Sequence, residues 1–425
     1  MTNGTGIGLI GLGTVGSAVA RRLVDDWELL GSRAGSIPLL RRVAVADPTR
    51  GRDLALPRVH LDGDADALVD DEAVAVVVEV MGGVDRASAL IERALRAGKP
   101  VVTANKAALA AHGLELSRVA VECGVSLRYE AAVGAGLPVV ALLRDSLRGD
   151  HVTALEMIIN GTTNVILTRM GRDGVDFATA LRDAQERGFA EADPSADVDG
   201  HDAAAKLVLL SRLAFDAPVA VDDVTRVGIR GVVAQDVAAA TQLGGAIKLV
   251  AAAQGGDGVL TLSVGPALVR PGHPLFGVDD ADNAVLITSE LAGPIRLSGA
   301  GAGGHSTASA VLSDIVATVR EPAAAPPVPS AGVTTGDSAD IERGGYLRLR
   351  LQPIPEATEL VLQALEDRGI PVRASVSLDE GGAGAQLALL TGSVSLAMRE
   401  RAAETLDSLA AVAEVVAVMD WLEPA

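Results

Sequence analysis

The stretch GIGLIGLGTVGSAVARRLVDDW (residues 6–27) joins a short apolar run, a glycine-rich turn and a segment with helical periodicity. Gly11, Gly13 and Gly16 form the G-x-G-x-x-G pattern: the first permits a tight turn, the second lets a ligand approach the backbone, and the third allows close helix–strand packing. Free amides at the start of such a helix hold an anion. The stretch therefore predicts a strand–turn–helix unit that binds the pyrophosphate of a dinucleotide. A purely structural glycine turn is the alternative.

The chain continues with alternating strands and helices. The amphipathic stretch VDRASALIERALRAGK (84–99) predicts a helix. Short β-branched runs bounded by Gly, Pro or Asp predict strands. These runs are RRVAVAD (41–47), AVVVEVMG (75–82), PVVTAN (100–105) and VSLRYEAAV (125–133). The alternation predicts an α/β fold with a Rossmann-type, doubly wound parallel sheet over residues 1–137.

Two further domains are expected. Residues 138–304 mix strands and helices and predict an α+β domain, while a helix over 305–320 is expected to pack back on the first domain. Residues 321–343 are rich in Pro, Ala and Gly and are typical of a linker. Residues 344–425 alternate in the order βαββαβ, which is the ferredoxin-like arrangement.

The composition restricts the class of protein. A net charge of −19 over 425 residues argues against a nucleic-acid partner. The N-terminus MTNGTGIGLI has no basic residue, and no apolar run reaches the ~18 residues of a membrane span. The single cysteine, Cys123, cannot form an intrachain disulfide, which suits a reducing compartment. We therefore expect a cytoplasmic protein that binds neither nucleic acid nor membrane.

The stretch ADPSADVDGHDAAAKLVLL (192–210) gathers aspartates ahead of Lys206. Asp202 and Lys206 are four residues apart and are neighbours on a helix. A lysine that is partly desolvated and held by a carboxylate can exchange a proton with an alkoxide. The structural alternative is an acidic loop in which Asp199 caps the helix. A divalent metal held by the aspartates is a rival, although the EF-hand spacing is missing.

Lysine is rare in this chain. The four lysines are Lys99, Lys106, Lys206 and Lys248, and all other basic side chains apart from histidine are arginine. The remaining lysines are therefore candidates for roles that need an ammonium with a tunable pKa, which guanidinium does not supply. Lys106, in VTANKAALA (102–110), follows the carboxyl end of a predicted strand, where doubly wound sheets bind ligands. A surface lysine at a helix start is the alternative.

The chain resembles homoserine dehydrogenase over nearly its whole length. AQERGFAEADPSADVDGHDAAAK (184–206) matches throughout the family's signature, A-x3-G-hydrophobic-small-x2-D-P-x2-D-V-x-G-x-D-x3-K. The resemblance implies NAD(P)-dependent interconversion of L-aspartate 4-semialdehyde and L-homoserine in threonine, methionine and isoleucine biosynthesis. It implies that Lys206 is the proton donor or acceptor, that Asp202 orients Lys206 or the substrate, and that Glu191 binds the substrate ammonium.

The resemblance also implies further site residues. Lys106 is the second catalytic lysine, set between cofactor and substrate, and Thr162 in NGTTNVIL (160–167) contacts the substrate. The implied cofactor-binding residues are Gly11, Gly13, Thr14, Val15, Gly16, Thr103, Lys106, Gly188 and Gly303. EAAVGAGLPV (130–139) matches the family's sodium loop, although a glycine-rich hinge is an alternative reading. The implied ligands of sodium, or of another monovalent cation, are Glu130, Val133, Ala135 and Leu137, several through the main chain.

The choice between NAD and NADP stays open. In VAVADPTRGR (43–52), Asp47 suits the ribose hydroxyls of NAD, whereas Arg50 or Arg52 suits the 2′-phosphate of NADP. Family members often carry arginine before this aspartate, where the present chain has Ala46. GAGAGGHSTASAV (299–311) matches a glycine-rich loop that comes late in the family's sequence. Ser306 stands where proline is usual in that loop.

The C-terminal segment resembles an ACT regulatory domain with an altered turn. QPIPEATEL (352–360) replaces the usual Arg-Pro-Gly turn after the first strand. Its two prolines lack amide donors, and Glu356 would repel an incoming carboxylate. We therefore expect weak or absent inhibition by threonine, with the domain serving assembly of a homodimer or homotetramer in which residues 138–304 also take part.

Two other functions remain at this point. One is a different NAD(P)-dependent amino-acid dehydrogenase on the same scaffold, and the other is a non-enzymatic amino-acid sensor with a degenerate catalytic half. The complete set of Lys106, Glu191, Asp202 and Lys206 argues against the sensor. Because no kinase-like extension precedes the glycine turn, we expect the monofunctional form.

Overall fold

The computed structural model describes residues 4–50, 54–56, 58–256, 258–324, 327–329, 332–336, 342–378 and 385–422. Residue contacts divide the chain into two compact units. Unit 1 comprises Met1–Val152, Ala205–Val221 and Gly299–Val333, and unit 2 comprises Thr153–Ala204, Asp222–Ser298 and Thr334–Ala425.

The strands fall into two sheets. In chain order they are β1 (Gly4–Ile10), β2 (Ile37–Ala44), β3 (His60–Asp62), β4 (Val76–Glu79), β5 (Val101–Thr103), β6 (Leu127–Arg128), β7 (Val152–Ile158), β8 (Thr225–Arg226), β9 (Ala246–Gly256), β10 (Val259–Val269), β11 (Asp282–Ser289), β12 (Gly293–Ala300), β13 (Thr334–Thr335), β14 (Glu342–Leu351), β15 (Val372–Leu378), β16 (Gln386–Thr391), β17 (Val394–Ser395) and β18 (Val412–Leu422).

The helices connect and cover these sheets. In chain order they are α1 (Thr14–Asp25), α2 (Trp27–Ala34), α3 (Ala65–Asp70), α4 (Asp85–Arg96), α5 (Lys106–Cys123), α6 (Val139–Ala141), α7 (Gly161–Asp173), α8 (Phe177–Glu186), α9 (Ser195–Val198), α10 (His201–Ala214), α11 (Ala234–Gln242), α12 (Gly304–Arg320), α13 (Ala357–Glu366) and α14 (Leu396–Asp407). A π-helical turn over Leu142–Ser146 extends α6.

Unit 1 contains a six-stranded sheet in the order β3-β2-β1-β4-β5-β6, and all of its strand pairs are parallel. The predicted Rossmann-type sheet is therefore confirmed. The strand order reverses beside β1, so the carboxyl ends of β1 and β4 flank the crevice where such sheets bind ligands. β6 is shorter than predicted, because the chain turns into a 3-10 helix at Glu130–Ala132.

Helix α12 belongs to the core of this first sheet. Val311 and Ile315 are fully buried in the same apolar cluster as Ile7 and Leu9 of β1 and Val19 of α1. Burial of aliphatic side chains at about 25 cal/mol per Å² holds the helix against the sheet. The late helix and the N-terminal glycine turn are thereby brought into one packed layer.

Unit 2 is built on one extended sheet. Its strands run in the order β12-β11-β7-β9-β10-β18-β14-β16-β15, with β8 and β13 paired to β10 and β17 paired to β14. β18 joins the two parts of this sheet by pairing in parallel with β10, and Ala267 lies opposite Asp420. The C-terminal strands therefore continue the sheet that begins after residue 152.

The C-terminal part has the predicted βαββαβ order, formed by β14, α13, β15, β16, α14 and β18. Its strand order, β18-β14-β16-β15, is that of a ferredoxin-like sheet. The domain boundaries given in the sequence analysis stay a prediction. Within the expected linker, residues 325–326, 330–331 and 337–341 lie outside the described residues.

Candidate active site

The glycine turn has the geometry of a pyrophosphate cradle. Gly11 has a φ of 100°, which is in the region that favours glycine. A side chain at Gly16 would overlap the Gly11 carbonyl, so the helix can approach the strand only with glycine here. Helix α1 follows Gly13 without any capping side chain, and the first helical residues are Thr14 and Val15. Its first amides are therefore available to an anion.

A second helix begins beside the first. Helix α12 follows Gly303, which has a φ of 124°, and it also has no capping side chain. A Cβ built on Gly304 would lie 2.6 Å from Cγ2 of Thr14, so the two helix starts are adjacent. Each start carries positive partial charge, and together they favour an anionic group. The predicted residues Gly11–Gly16 and Gly303 are thus brought together within unit 1.

Glu79 organises the neighbouring strand ends, and the sequence reasoning missed it. It ends β4 with 0% exposure. Its carboxylate accepts hydrogen bonds from the Thr103 hydroxyl (2.6 Å) and from the amides of Met81 (2.8 Å) and Gly82 (3.3 Å). The predicted cofactor residue Thr103 is thereby fixed. A single charged residue inside the apolar run AVVVEVMG was the signal that could have identified Glu79.

The same network sets the start of α5. The Asn105 amide donates to the Thr103 hydroxyl, and its side chain donates to the Gly83 carbonyl at 2.8 Å. The Asn105 side chain also accepts from the Ala108 amide and so caps the helix. Lys106 is the first residue of this capped helix and is exposed. The backbone that carries Lys106 is therefore rigidly held.

Arg212 clamps together the helices that carry the two predicted catalytic lysines. From α10 its guanidinium donates to the carbonyls of Leu109 (2.8 Å) and Ala110 (3.1 Å) on α5. Burial lowers the pKa of Arg212. Lys206 precedes Arg212 on α10 and is buried, with 8% exposure, whereas Lys106 begins α5. The clamp fixes the relative position of these two helices within unit 1.

The other two lysines have structural bonds. Lys248 of β9 donates to Asn164 (2.9 Å) and Asp279 (2.8 Å), and burial lowers its pKa. Lys99 donates to the Asp71 carbonyl at 2.7 Å. Lys248 and Lys99 therefore have a structural role, and neither is assigned a role in catalysis.

Two of the aspartates ahead of Lys206, Asp193 and Asp199, each have a partner of their own. Asp193 accepts from the Ser195 hydroxyl at 2.5 Å. Asp199 accepts from Arg230 at 2.6 Å, and this bond lowers its pKa. Because α10 begins at His201, Asp199 does not take the capping position expected for it. Within the described residues, no group of three or more His, Cys, Asp or Glu side chains is placed to hold a metal ion.

Asn160 is a second residue that the sequence reasoning missed. Its side-chain amide donates to Asp197 (2.7 Å) and to Asp202 (2.9 Å). Its side-chain oxygen accepts from the Thr163 amide, which makes Asn160 the cap of α7. The capping pattern was readable in the sequence, but the bonds to two aspartates were not. Asn160 thereby fixes the carboxylate that lies one helical turn before Lys206.

Glu191, a predicted substrate residue, lies in an exposed segment between α8 and α9. Thr162, the other predicted substrate residue, contacts this segment. The Thr162 hydroxyl donates to the Phe189 carbonyl at 2.7 Å, and Gln185 donates to the Glu191 carbonyl at 3.0 Å. These bonds hold the backbone of the segment, while the Glu191 residue is exposed. Gly188, a predicted cofactor residue, lies in the same exposed segment.

The predicted cation loop is buried and strained. Val133 and Leu137 are buried, and Ala135 has a φ of 51°, which costs an alanine roughly 1 kcal/mol. The Glu130 carboxylate accepts from the amides of Val140 (2.8 Å) and Ala141 (2.7 Å), and its carbonyl accepts from the Val133 amide (3.3 Å).

A second carboxyl lies beside this loop. The Glu130 amide donates to Asp314 at 2.8 Å, and both residues are buried. Burial raises the pKa of Glu130 to about 7 and that of Asp314 to about 6. The charge of Arg144 partly opposes both shifts. A buried pair of carboxyls is expected to favour a cation nearby.

The residues after β2 do not decide whether the cofactor is NAD or NADP. The Asp47 carboxylate accepts from the amide (2.9 Å) and the hydroxyl (2.6 Å) of Thr49. Arg50 is exposed, and Arg52 lies outside the described residues.

Comparison with known proteins identifies the family. A family model described as homoserine dehydrogenase matches residues 138–316, and one described as the homoserine dehydrogenase NAD-binding domain matches residues 11–130. Homoserine dehydrogenase of Mycobacterium bovis is 39% identical, and the alignment covers 97% of each chain. This chain belongs to the homoserine dehydrogenase family. It is an NAD(P)-dependent oxidoreductase that interconverts L-aspartate 4-semialdehyde and L-homoserine.

Solved homoserine dehydrogenases have the same fold. The crystal structure of the enzyme from Thiobacillus denitrificans matches with a TM-score of 0.92 and 34% identity over 100% of both chains. A hyperthermophilic archaeal homoserine dehydrogenase in complex with NADPH matches with a TM-score of 0.63 and 28% identity, over 75% of this chain and 98% of that one. The predicted function is confirmed, and the sensor and the other dehydrogenase lose their support. None of the described helices is both long and apolar enough to cross a membrane.

Proposed function

We propose that Lys206 exchanges the proton of the homoserine hydroxyl while Asp202 orients it. The observation that carries this proposal is the burial of Lys206 on α10, one turn after a carboxylate that Asn160 holds at 2.9 Å. Lys106, on the helix clamped to α10 by Arg212, lies between cofactor and substrate in this proposal. Loss of turnover on replacing Lys206 tests the assignment.

The nicotinamide cofactor, when bound, supplies or accepts the hydride at the carbonyl carbon of the substrate. The uncapped starts of α1 and α12 hold its pyrophosphate in this proposal, and Glu79 fixes Thr103 at the adjacent strand end. The NADPH complex of the archaeal relative supports use of NADPH, while Asp47 keeps NAD a candidate.

Glu191→Gln tests the proposed contact with the substrate ammonium. Loss of a charge-assisted bond costs about 1.5–3 kcal/mol, so we expect the KM for homoserine to rise roughly 10- to 100-fold. The KM for the cofactor should change little, because the proposed contact is to the substrate alone. Steady-state kinetics with each substrate varied give both constants, and Glu186→Gln, an exposed residue of α8, is the matched control. A parallel rise in both constants would make Glu191 a structural residue of the exposed segment.

A monovalent cation, sodium in the family, is proposed at residues 130–137. Among the described residues no donor reaches the carbonyls of Val133 or Ala135, and the strained φ of Ala135 is consistent with carbonyls held for a ligand. A bound cation would also favour the ionised forms of Glu130 and Asp314.

We also propose that the protein assembles as a homodimer or homotetramer and is cytoplasmic. We propose that it acts in threonine, methionine and isoleucine biosynthesis, because members of the family have these properties. The C-terminal part is proposed to be an ACT-like domain on the strength of its ferredoxin-like strand order.

Inhibition by threonine is expected to be weak or absent. Glu356 has a φ of 60°, where glycine is favoured, and its side chain adds negative charge at the start of α13. We expect less than 50% inhibition at millimolar threonine, and stronger inhibition in Glu356→Gly, which relieves the strain and removes the charge. Threonine titration of both enzymes decides this, with Glu359→Gly as the control on the same helix. Half-inhibition of the unaltered enzyme at micromolar threonine would contradict the expectation.

A further inference from the structure

We propose that a cavity of about 130 Å³ in unit 2 binds a small carboxylate anion with a short apolar body, and that its occupation alters the segment before α10. The turn that carries Glu356 contributes none of the residues that line the cavity. The binding part of the proposal stands on the cavity alone, and the kinetic part rests on the function proposed above.

The cavity forms where two strands share one edge of β10. β8 pairs with β10 at Ser263 and Val264, and β18 pairs with it from Ala267 onward. Neither strand pairs with the intervening Gly265 and Pro266, and proline has no amide to offer a partner. The gap between β8 and β18 along this edge of β10 therefore forms the cavity. Its apolar lining includes Val227, Val250, Val264, Val418 and Leu422.

The polar wall of the cavity carries an excess positive charge. Asp420 accepts from Arg399 at 2.7 Å and from Arg343 at 2.9 Å, and Arg343 also reaches the Ser263 hydroxyl at 3.3 Å. Burial opposes ionisation of Asp420, but the two arginines hold its pKa below the usual value. Two guanidinium groups thus share one carboxylate, in a chain whose net charge is −19. A second carboxylate would complete the charge balance, and guanidinium suits carboxylate geometry.

The cavity size limits the ligand. One water occupies about 30 Å³ in the liquid, so 130 Å³ corresponds to about four waters and accommodates only a small ligand. The valine lining favours an aliphatic body over a second charged group. A branched or short-chain monocarboxylate meets both conditions.

The cavity wall is continuous with the segment before α10. Thr225 and Val227 line the cavity, and Arg226 between them donates to the Asp199 carbonyl at 2.6 Å. Two residues on, the Ile229 amide donates to the Val198 carbonyl at 2.8 Å. A ligand that displaces Val227 would therefore strain the bonds to Val198 and Asp199, which precede Asp202 by four and three residues. Occupation of the cavity is expected to change the KM for homoserine.

Binding is tested with 2-methylpropanoate and its neutral analogue 2-methylpropanamide, in the presence of saturating homoserine. Ligand-detected NMR titration should show binding of the anion at least ten-fold tighter than binding of the amide. Val227→Glu adds a like charge on a residue that is 57% exposed, so it should weaken anion binding at least ten-fold without disturbing the core. Val121→Glu, at a valine that is 45% exposed in unit 1, is the matched control and should bind as the unaltered enzyme does.

Equal binding of the anion and the amide, or anion binding unaffected by Val227→Glu, would overturn the site. Arg343→Gln provides a second test, since it removes the proposed carboxylate partner and should also weaken binding. At constant ionic strength the anion should change the KM for homoserine at least two-fold in the unaltered enzyme and not in Val227→Glu. Binding without a change in KM would overturn the coupling. Failure of the Lys206 assignment would leave the NMR result unchanged, so the two proposals can be distinguished.

Discussion

Replacing Lys206 by alanine is expected to lower turnover by about 10²–10⁴-fold, the usual scale for losing a general acid–base group. The loss is expected because Lys206 is the group proposed to exchange a proton with the substrate oxygen. Cofactor binding should be nearly unchanged, because the proposed pyrophosphate contacts are the starts of α1 and α12. Steady-state kinetics give turnover, and fluorescence titration with NADPH gives cofactor affinity.

Two further variants sharpen this result. Lys206→Arg keeps the positive charge but cannot release a proton near neutral pH, so it should be almost as inactive as the alanine variant. Lys99→Ala removes a lysine bonded to the Asp71 carbonyl and should keep near-normal turnover. An alanine variant at position 206 that turns over at the normal rate would refute the assignment.

The Rossmann-type sheet was predictable because its signals are local. The glycine spacing at Gly11, Gly13 and Gly16 and the β-branched strand runs each act within a few residues. The C-terminal βαββαβ order was readable for the same reason. β9 (Ala246–Gly256) has no such local signal, because its alanines favour helix, whereas here they fit between β7 and β10.

The parts of the site that were not predicted depend on distant partners. Glu79 acts through Thr103, which is far along the chain, and Asn160 acts through Asp202. Periodicity reports which face of an element is apolar, but it does not report which buried polar groups meet. The contact of Arg212 with α5 was not predicted for the same reason. Its acceptors are backbone carbonyls, which every residue has, so no residue type in the sequence indicates the contact.

β14 shows how such a pattern can mislead. In YLRLRLQ (346–352), alternation places Tyr346, Arg348 and Arg350 on one face, which is typical of a solvent-exposed face. The structure instead buries Tyr346 and Arg348, because Asp236 of α11 pairs with Arg348. The part of unit 2 that carries α11 and the ferredoxin-like part are therefore joined by an ion pair as well as by a continuous sheet.

Arg348→Met is expected to lower the free energy of unfolding by about 3–5 kcal/mol, the usual effect of removing one partner of a buried ion pair. Asp236 is 0% exposed and Arg348 is 3% exposed. The Arg348 guanidinium donates to the Asp236 carboxylate at 2.6 and 3.3 Å, and to Gln386 at 2.7 Å. Without it, the donors that remain to the buried carboxylate among the described residues are the Tyr346 hydroxyl and the Val233 amide.

Urea unfolding followed by circular dichroism measures the loss. Arg350→Met is the matched control, because Arg350 is on the same strand face but 43% exposed, and its pair with Glu414 should contribute no more than about 1 kcal/mol. The double variant Asp236→Leu/Arg348→Met removes both charges and should recover most of the stability lost by the single variant. A single variant as stable as the Arg350 control would mean that water reaches Asp236.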